Sequence, residues 1–291
     1  MSGNLTYAAI TAARNESENL SRIADSLATQ TVLPLRWLIV DNGSTDDTPE
    51  IAKALACRYD WIRLVTTDGT ARPARGGAVV RAFHAGFEAL DVTPDVVVKL
   101  DADVSMAPDH FELLVAAFDA DPMLGMASGA ELVEESGVWT KRHQARSTVV
   151  WGPARAYRWS CLVDVLPLEE RMGWDAIDEF KANVRGWRTG TLHELEYRHH
   201  RREGERDGAR ARFWSTEGNA AFFMGYRPTY LLVRSLFRAL REPAALAMLT
   251  GYAGAAIRRE DRLADRQAVE YLRSQQRLRS LWLRSREVRG A

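Results

Sequence analysis

The chain has 291 residues, of which 46% are hydrophobic and 27% are charged, a composition typical of a globular protein rather than of a disordered or fibrous one. Lysine plus arginine and aspartate plus glutamate both total 39, so the net charge gives no reason to expect nucleic acid as a partner. Only Cys57 and Cys161 are present and they form no CxxC pair, which argues against a disulfide framework and a zinc knuckle.

The expected location of the protein is the cytoplasm. Residues 1–6 contain neither a basic stretch nor an apolar stretch, so they do not resemble a secretory signal peptide. The sequence also has no run of about 18 apolar residues, the length that a membrane-spanning helix needs.

The first part of the chain alternates short apolar runs with amphipathic segments. Leu20, Ile23, Ala24 and Leu27 have the spacing of a helix with one buried face. Apolar runs such as VVVKL at 96–100 are typical of buried strands. The pattern predicts strands at 7–12, 37–40, 62–66 and 96–100, and helices at 17–30, 45–59 and 78–90. Such alternation indicates an α/β fold with a mainly parallel sheet flanked by helices.

The second part of the chain is less regular. Segment 124–197 mixes strand-like pieces with a predicted helix at 175–185 and a strand at 191–197, and segment 199–212 is polar and typical of a loop. Farther on, we predict apolar helical segments at 229–240 and 244–257, the second weakened by glycines, and a charged helix at 261–288. We therefore predict a domain boundary near residue 210, with an α/β domain over 1–210 and a helical C-terminal region over 211–291.

Acidic and turn-forming residues follow three of the predicted strands. They occur at 14–16 (Arg-Asn-Glu), 41–44 (Asp-Asn-Gly-Ser) and 101–103 (Asp-Ala-Asp). Ligands of doubly wound sheets bind where strands end at their carboxyl edge. An acidic group there is suited to diphosphate only with a divalent cation between them, and Mg²⁺ or Mn²⁺ prefers such oxygen ligands. Taken singly, each segment is also consistent with an ordinary solvated turn.

Together, these segments resemble a known family. The sequence VDNGSTDDT at 40–48 resembles the VDDGSTDxT signature of family 2 glycosyltransferases with the GT-A fold, with Asn42 in place of the commoner aspartate. Segment 14–16 is similar to their N-E segment, Asp101-Ala102-Asp103 to their DxD motif, and 75–78 to the start of their glycine-containing helix. The resemblance covers roughly residues 5–200.

The resemblance implies the roles of individual residues. Glu16 and Asp41 would contact the nucleoside of a nucleotide-sugar, UDP being the family's commonest nucleotide, while Asp103 with Asp101 would bind the metal and the diphosphate. The nucleotide-sugar-binding set that it predicts comprises Arg14, Glu16, Asp41, Gly76, Asp101, Ala102 and Trp151. The metal set comprises Asp101, Asp103, His199 and His200, with His200 favoured over His199 as the late histidine ligand. The metal would be Mg²⁺ or Mn²⁺.

The resemblance also implies a catalytic base, because inverting transfer needs a carboxylate that removes the proton of the acceptor hydroxyl. Asp175 stands where the family has its GED motif, with Trp174 in place of the glutamate. A shift of the alignment by one helical turn would make Asp178 the base instead. Both also fit simpler roles, Asp175 as a helix cap and Asp178 as a solvated acid of the first turn.

Other side chains have two readings each. Trp151 belongs to an aromatic segment that fits either a sugar-binding wall or core packing. Arg198, Arg201 and Arg202 fit either neutralisation of a leaving diphosphate or solvated loop charges. The amphipathic, arginine-bearing segment 229–240 fits packing or a homodimer interface, which we favour, or peripheral contact with the inner face of the membrane.

The sequence therefore predicts an inverting glycosyltransferase that moves a sugar from a nucleotide-diphosphate sugar to a saccharide or lipid-linked acceptor. A sugar nucleotidyltransferase is disfavoured because no glycine-rich loop follows the first strand. A non-catalytic nucleotide-sugar-binding scaffold is the third hypothesis, although it would have no need for acids at both Asp103 and Asp175. A Rossmann dehydrogenase would carry GxGxxG after the first strand, and none is present.

Overall fold

The structure is a computed structural model that describes residues 5–69, 76–142, 149–200 and 210–276. Its strands are β1 Tyr7–Ala13, β2 Arg36–Asn42, β3 Ile62–Thr67, β4 Val96–Leu100, β5 Val104–Met106, β6 Leu124–Glu135, β7 Val138–Lys141, β8 Ala154–Arg158 and β9 Arg188–His199. Its α-helices are α1 Ser17–Ala28, α2 Thr48–Arg58, α3 Gly77–Glu88, α4 His110–Ala120, α5 Trp159–Val165, α6 Trp174–Val184, α7 Arg210–Phe223, α8 Pro228–Ala239, α9 Ala247–Ile257 and α10 Arg266–Gln275. A 3₁₀ turn, Pro243–Leu246, separates α8 from α9.

The described strands form one sheet in the order β3-β2-β1-β4-β8-β6-β9-β5, with β7 paired to β6. The predicted α/β class is confirmed, and β3, β2, β1 and β4 are parallel as the alternation indicated. Beyond β4 the sheet is mixed, because β8 runs antiparallel to both β4 and β6 while β9 runs parallel to β6. The sheet therefore has a parallel half, with its carboxyl ends at one edge, and an irregular half beside it.

The buried residues explain why the first elements form. All five residues of β4 are buried, as expected for a strand covered on both faces. In α1 the predicted apolar positions are buried on one side. Helix α3 crosses β1 and β2 at Gly86, where a Cβ atom would lie 2.5 Å from Cγ2 of Ile10 and 2.9 Å from Cγ2 of Val40. Glycine is therefore required for this close helix–sheet approach.

Two predicted helix starts are wrong, for the same reason. Helix α2 begins at Thr48 rather than at residue 45, because Asp46 Oδ1 accepts hydrogen bonds from the Thr48 backbone N–H and hydroxyl. Helix α10 begins at Arg266 rather than at residue 261, because the Asp265 side chain accepts a hydrogen bond from the Ala268 N–H at 3.0 Å and caps the helix. The rest of the predicted charged helix, 277–288, lies outside the described residues.

The helices after residue 210 pack against the sheet-forming part of the chain through α6. Ile177 of α6 shares a buried cluster with Phe223 and Met224 at the end of α7 and with Leu272 of α10. Helices α7 and α9 approach closely at Gly251, where a Cβ atom would lie 1.9 Å from the Ser215 carbonyl oxygen. The glycine that weakens α9 as an isolated helix is thus what lets it pack against α7. Among the described residues, no helix is long and apolar enough to cross a membrane.

Candidate active site

A cavity of about 740 Å³ opens at the carboxyl ends of β1 and β4. Its wall combines the segments that follow these strands with the first turns of α3 and α6, the segment before β8, and side chains from β6 and the end of β9. The cavity is large enough for a ligand of several hundred daltons, and it lies where parallel sheets bind their ligands.

Most of the predicted donor-site residues line this cavity, namely Arg14, Glu16, Asp101, Ala102 and Trp151. The segment after β1 that carries Arg14 and Glu16 is tied to the start of α2, since the Glu16 N–H donates to Thr48 Oγ1 at 2.8 Å. The structure thus brings together side chains that lie more than a hundred residues apart in the sequence.

Asp41 and Gly76 lie outside the cavity lining. Asp41 is 3% exposed, and its Oδ1 accepts a hydrogen bond from the Ser44 N–H at 3.2 Å, so this carboxylate holds the turn after β2. Its neighbour Asn42 lines the cavity instead. Gly76 has φ +81°, and a Cβ atom there would lie 2.8 Å from the Arg171 carbonyl oxygen. Glycine at this position therefore lets the chain turn into α3 beside Arg171.

Asp101 is paired with a buried lysine that the sequence analysis did not single out. Lys99 Nζ lies 2.5 Å from Asp101 Oδ1 and 3.0 Å from the Gly152 carbonyl oxygen, and it is 5.6 Å from the Trp174 ring centroid. Burial raises the pKa of Asp101, the charge of Asp103 adds to that effect, and Lys99 opposes it. Of the two carboxylates of Asp101 and Asp103, that of Asp101 thus has a lysine ammonium group beside it.

Asp103 lies at the end of a chain of charged groups that continues into the protein. His199 Nε2 is 3.4 Å from Asp103 Oδ1, and His199 Nδ1 is 2.5 Å from Oε1 of the buried Glu131. Arg142 Nη1 donates to Glu131 Oε2 at 2.9 Å. Burial disfavours a charged imidazole, but Asp103 and Glu131 together raise the pKa of His199 to about 10. Glu131 thereby fixes the orientation of the His199 ring.

The structure places His199 rather than the favoured His200 in the cavity wall. His200 Nε2 is 2.7 Å from Ser105 Oγ, and its ring packs edge-on against Trp139. Successive residues of an extended chain point to opposite sides, so only one of two neighbouring histidines can face the cavity. Arg198 stacks on Trp139, 5.4 Å from the ring centroid, whereas the other two arginines of this segment, Arg201 and Arg202, lie outside the described residues.

The two candidate bases differ sharply in their surroundings. Asp175, in the first turn of α6, is exposed to the cavity. Asp178 is 1% exposed, lies outside the lining, and accepts hydrogen bonds from Arg155 Nε and Nη2 and from the Tyr157 hydroxyl. Burial raises the pKa of Asp178 to about 6 although Arg155 opposes this rise.

Arg155 is the centre of this buried network. It is fully buried, and Nη2 donates to the Asp175 backbone oxygen at 2.5 Å and to Glu179 Oε1 at 3.0 Å, in addition to its two bonds to Asp178. Glu179 lines the cavity, and burial raises its pKa to about 8. The start of α6, which carries Asp175, is therefore attached to β8 through the Arg155 guanidinium and, at Asp178, through the Tyr157 hydroxyl.

In the described parts of the chain, no three or more histidine, cysteine, aspartate or glutamate side chains are grouped to hold a metal ion by themselves. Asp103 and His199 supply one carboxylate and one imidazole, side by side in the cavity wall. Cations that bind together with substrate phosphates commonly use only one or two protein ligands, because phosphate oxygens and water complete the coordination. Asp103 and Glu131 favour the protonated imidazole of His199 in the absence of metal, so a cation would bind there with release of that proton. With the proton released, the donor set fits such a site.

The chain matches the model of a known protein family. The model of glycosyl transferase family 2 matches residues 8–167, which is more than half of the chain and includes most of β1, all of β4 and residues 101–103. The chain belongs to glycosyl transferase family 2. A similar curated protein, the uncharacterized glycosyltransferase YibD of Escherichia coli K12, is 32% identical over 144 residues, covering 48% of this chain and 39% of YibD. The chain spans between 35% and 39% of the length of two curated relatives that it matches.

Solved structures share the fold at low sequence identity. The mannosyltransferase PcManGT from Pyrobaculum calidifontis, in complex with GDP-Man and Mn²⁺, aligns with a TM-score of 0.55 and 17% identity over 97% of this chain and 84% of that chain. TarS 1-349 of S. aureus, in complex with UDP, aligns with a TM-score of 0.56 and 14% identity over 75% of this chain and 66% of that chain. The expected GT-A fold of family 2 is thereby confirmed.

Proposed function

We propose that this family 2 member is an inverting, metal-dependent glycosyltransferase that uses a nucleotide-diphosphate sugar as donor. The observation that carries the proposal is that Asp103 with His199 and the carboxylate of Asp175 line the same cavity. Asp103 and His199 are suited to binding a cation together with the diphosphate, and the Asp175 carboxylate is suited to accepting a proton. PcManGT binds GDP-Man with Mn²⁺ and TarS binds UDP, which supports a nucleotide-sugar as the class of donor.

The donor would lie along the edge formed by β1 and β4. Glu16 and Asn42 line the part of the cavity after β1 and β2, where we place the nucleoside. Asp103 and His199 would hold Mg²⁺ or Mn²⁺, which when bound neutralises charge on the diphosphate. Arg142 stacks over Trp151 at 5.0 Å from the ring centroid and also lines the cavity, so its guanidinium can contribute to the same neutralisation.

The reaction would be a single displacement. The Asp175 carboxylate takes the proton of an acceptor hydroxyl. As it does so, the acceptor oxygen attacks the anomeric carbon of the donor sugar. The bond between the anomeric carbon and the diphosphate oxygen breaks as the new bond forms, and the nucleoside diphosphate leaves with the electron pair. Attack from the face opposite the leaving group inverts the anomeric configuration. Asp178 is unsuited to this role because its oxygens are bonded to Arg155 and Tyr157 in the interior.

The acceptor side of the cavity is formed by the first turn of α6 and the segment that carries Trp151. The Trp151 indole is half-buried and lines the cavity, and an indole ring is suited to packing against a sugar. We therefore propose a saccharide or lipid-linked saccharide as the acceptor, placed between Trp151 and Asp175.

The test is the Asp175→Asn variant, assayed with a panel of UDP- and GDP-sugars, Mn²⁺ and a mixture of oligosaccharide and lipid-linked acceptors. Transfer, measured as nucleoside diphosphate release, should fall about 10² to 10⁴-fold, the usual contribution of a general base. Donor binding measured by calorimetry should not change, because the asparagine keeps the shape of the side chain. Asp119→Asn, on the exposed side of α4, is the matched control and should retain full transfer. Unchanged transfer in Asp175→Asn would refute the assignment of the base.

A further inference from the structure

Helix α8 exposes an apolar strip that the fold does not use. The outer strip consists of Leu232, Val233, Leu236, Phe237 and, directly after the helix, Leu240. These side chains are between 46% and 82% exposed, Phe237 at 66% and Leu240 at 82%. At 100° per residue they fall on one continuous side of the helix. Five large apolar side chains on one exposed surface form a patch of the kind that marks an interaction site.

The opposite side of α8 attaches the helix to the protein. Leu231 is buried in a cluster with Trp214 and Met248, and Ser235 is fully buried. Arg234 donates to Glu217 Oε2 at 3.1 Å and lies 5.9 Å from the centroid of the Tyr226 ring. The helix is therefore held in place mainly through this opposite side.

Positive charge lies to one side of the strip. Arg241, directly after the helix, falls nearest to Phe237, and Arg238 lies farther round toward the buried side; both are exposed. Residues 210–291 contain sixteen arginines and no lysine against seven acidic residues, a balance of 16 − 7 = +9, and residues 1–209 carry the compensating −9. The end of the chain that carries the strip is thus strongly basic while the end that carries most of the cavity is acidic.

We propose that the outer strip of α8 docks on the surface of an anionic lipid bilayer, with its apolar side chains among the acyl chains and its arginines at the phosphates. An apolar face with arginines beside it is the pattern of helices that lie in a membrane interface. A second copy of the chain fits less well, because strip-to-strip pairing would bring the exposed Arg238 and Arg241 of two copies close together. The proposal is independent of the assignment of the catalytic base.

Flotation of the full-length protein with liposomes tests the proposal. Wild-type protein should float with vesicles of phosphatidylcholine and phosphatidylglycerol, should not float with phosphatidylcholine alone, and should be released by high salt, which screens the arginines. The double variant Leu236→Glu/Phe237→Glu should reduce the bound fraction about tenfold or more, because two charges would enter the apolar layer. Arg238→Glu/Arg241→Glu should reduce it as well without altering any apolar side chain.

Leu113→Glu is the matched control, because Leu113 is a 49% exposed leucine on α4. It should float like the wild type. Equal flotation of the strip variants and the wild type, equal binding to neutral and anionic vesicles, or absence of binding to anionic vesicles would each overturn the proposal. Size-exclusion chromatography with light scattering tests whether a second copy of the chain covers the strip instead. A dimer that dissociates in Leu236→Glu/Phe237→Glu would also overturn the membrane proposal. Far-UV circular dichroism should show the same helix content in every variant, since all the changed residues are on the surface.

Discussion

Replacing Arg155 by methionine should separate the role of the buried network in stability from its role in catalysis. The guanidinium is fully buried and bonds to both oxygens of Asp178, to Glu179 and to the Asp175 backbone oxygen. Methionine fills much of the same space but leaves the Asp178 carboxylate buried without its cation. The first turn of α6 also loses the hydrogen bond that Arg155 of β8 donates to the Asp175 backbone oxygen.

The expected loss of stability follows from this burial. Removing one partner of a buried ion pair typically costs about 3–5 kcal/mol, because the other charge remains buried. With about 2.1 cal/mol/K of unfolding entropy per residue and 291 residues, the unfolding entropy is about 0.6 kcal/mol/K, so the melting temperature should fall by roughly 5–8 °C. Adding Asp178→Leu to Arg155→Met should recover part of this loss, since no buried carboxylate is then left unpaired.

Differential scanning calorimetry measures the stability term, and steady-state kinetics measures the catalytic one. In Arg155→Met, kcat should fall while the dissociation constant of the donor stays the same, because the network positions Asp175 and does not contact the edge at β1. Arg188→Met is the control, since Arg188 pairs with Asp121 while 65% exposed and surface pairs contribute little. Arg188→Met should hardly change the melting temperature, because a single exposed pair is worth at most about 1 kcal/mol. An Arg155→Met variant that melts within 1–2 °C of Arg188→Met would refute the reasoning.

Two further predictions concern Glu131 and His110. Glu131→Gln should weaken Mn²⁺-dependent nucleotide binding about 10 to 100-fold in calorimetry, because Glu131 orients His199, whereas the exposed Glu135→Gln in the same strand should bind like the wild type. Burial lowers the pKa of His110 to about 4, so the stability it contributes is present above about pH 6.5 and is lost as the pH falls toward 4. At 1.36 kcal/mol per pKa unit this amounts to about 3 kcal/mol, and denaturant unfolding should show a flatter dependence between pH 6.5 and 4 in His110→Gln but not in the exposed His193→Gln. Persistence of the full acid sensitivity in His110→Gln would contradict this origin.

The sequence predicted the parallel half of the sheet well, because that half is built from local patterns. The apolar run of β4 and the helical spacing in α1 depend on periodicity within a few residues, and the turn residues after β1 and β2 mark the edge where ligands bind. The order of β8, β6 and β9 was not predictable in the same way. Their pairing joins residues far apart in the chain, and β8 reaches β4 in the antiparallel direction only after a long connection.

The finer geometry of the site depends on orientation, which composition and spacing do not contain. His199 and His200 are adjacent, yet only His199 lines the cavity. Asp175 and Asp178 are one helical turn apart, yet one is exposed to the cavity and the other is bonded to Arg155. In each pair, the side chains that make the two environments different come from distant strands. They are Glu131 of β6 and Ser105 of β5 for the histidines, and Arg155 of β8 for the aspartates.

Lys99, Glu131 and Arg155 were missed for a related reason. Each is a charged residue in a strand, and a charged strand residue is most simply predicted to lie on a solvent-exposed face of the sheet. In the structure, all three are buried and paired. A charged residue inside an otherwise apolar strand, as in VVVKL, is the signal that could have identified Lys99, because a buried charge requires a partner.

The most direct test of the central claim is a thermal-shift measurement with UDP, GDP and their sugar conjugates, each with and without Mn²⁺. A nucleotide at 100 times its dissociation constant adds about 2.7 kcal/mol to the stability. With an unfolding entropy of about 0.6 kcal/mol/K for 291 residues, the melting temperature should rise by about 4 °C. We predict this rise for one nucleotide class, only with Mn²⁺, and its loss in Asp103→Asn. No metal-dependent rise with any of these nucleotides would contradict the account.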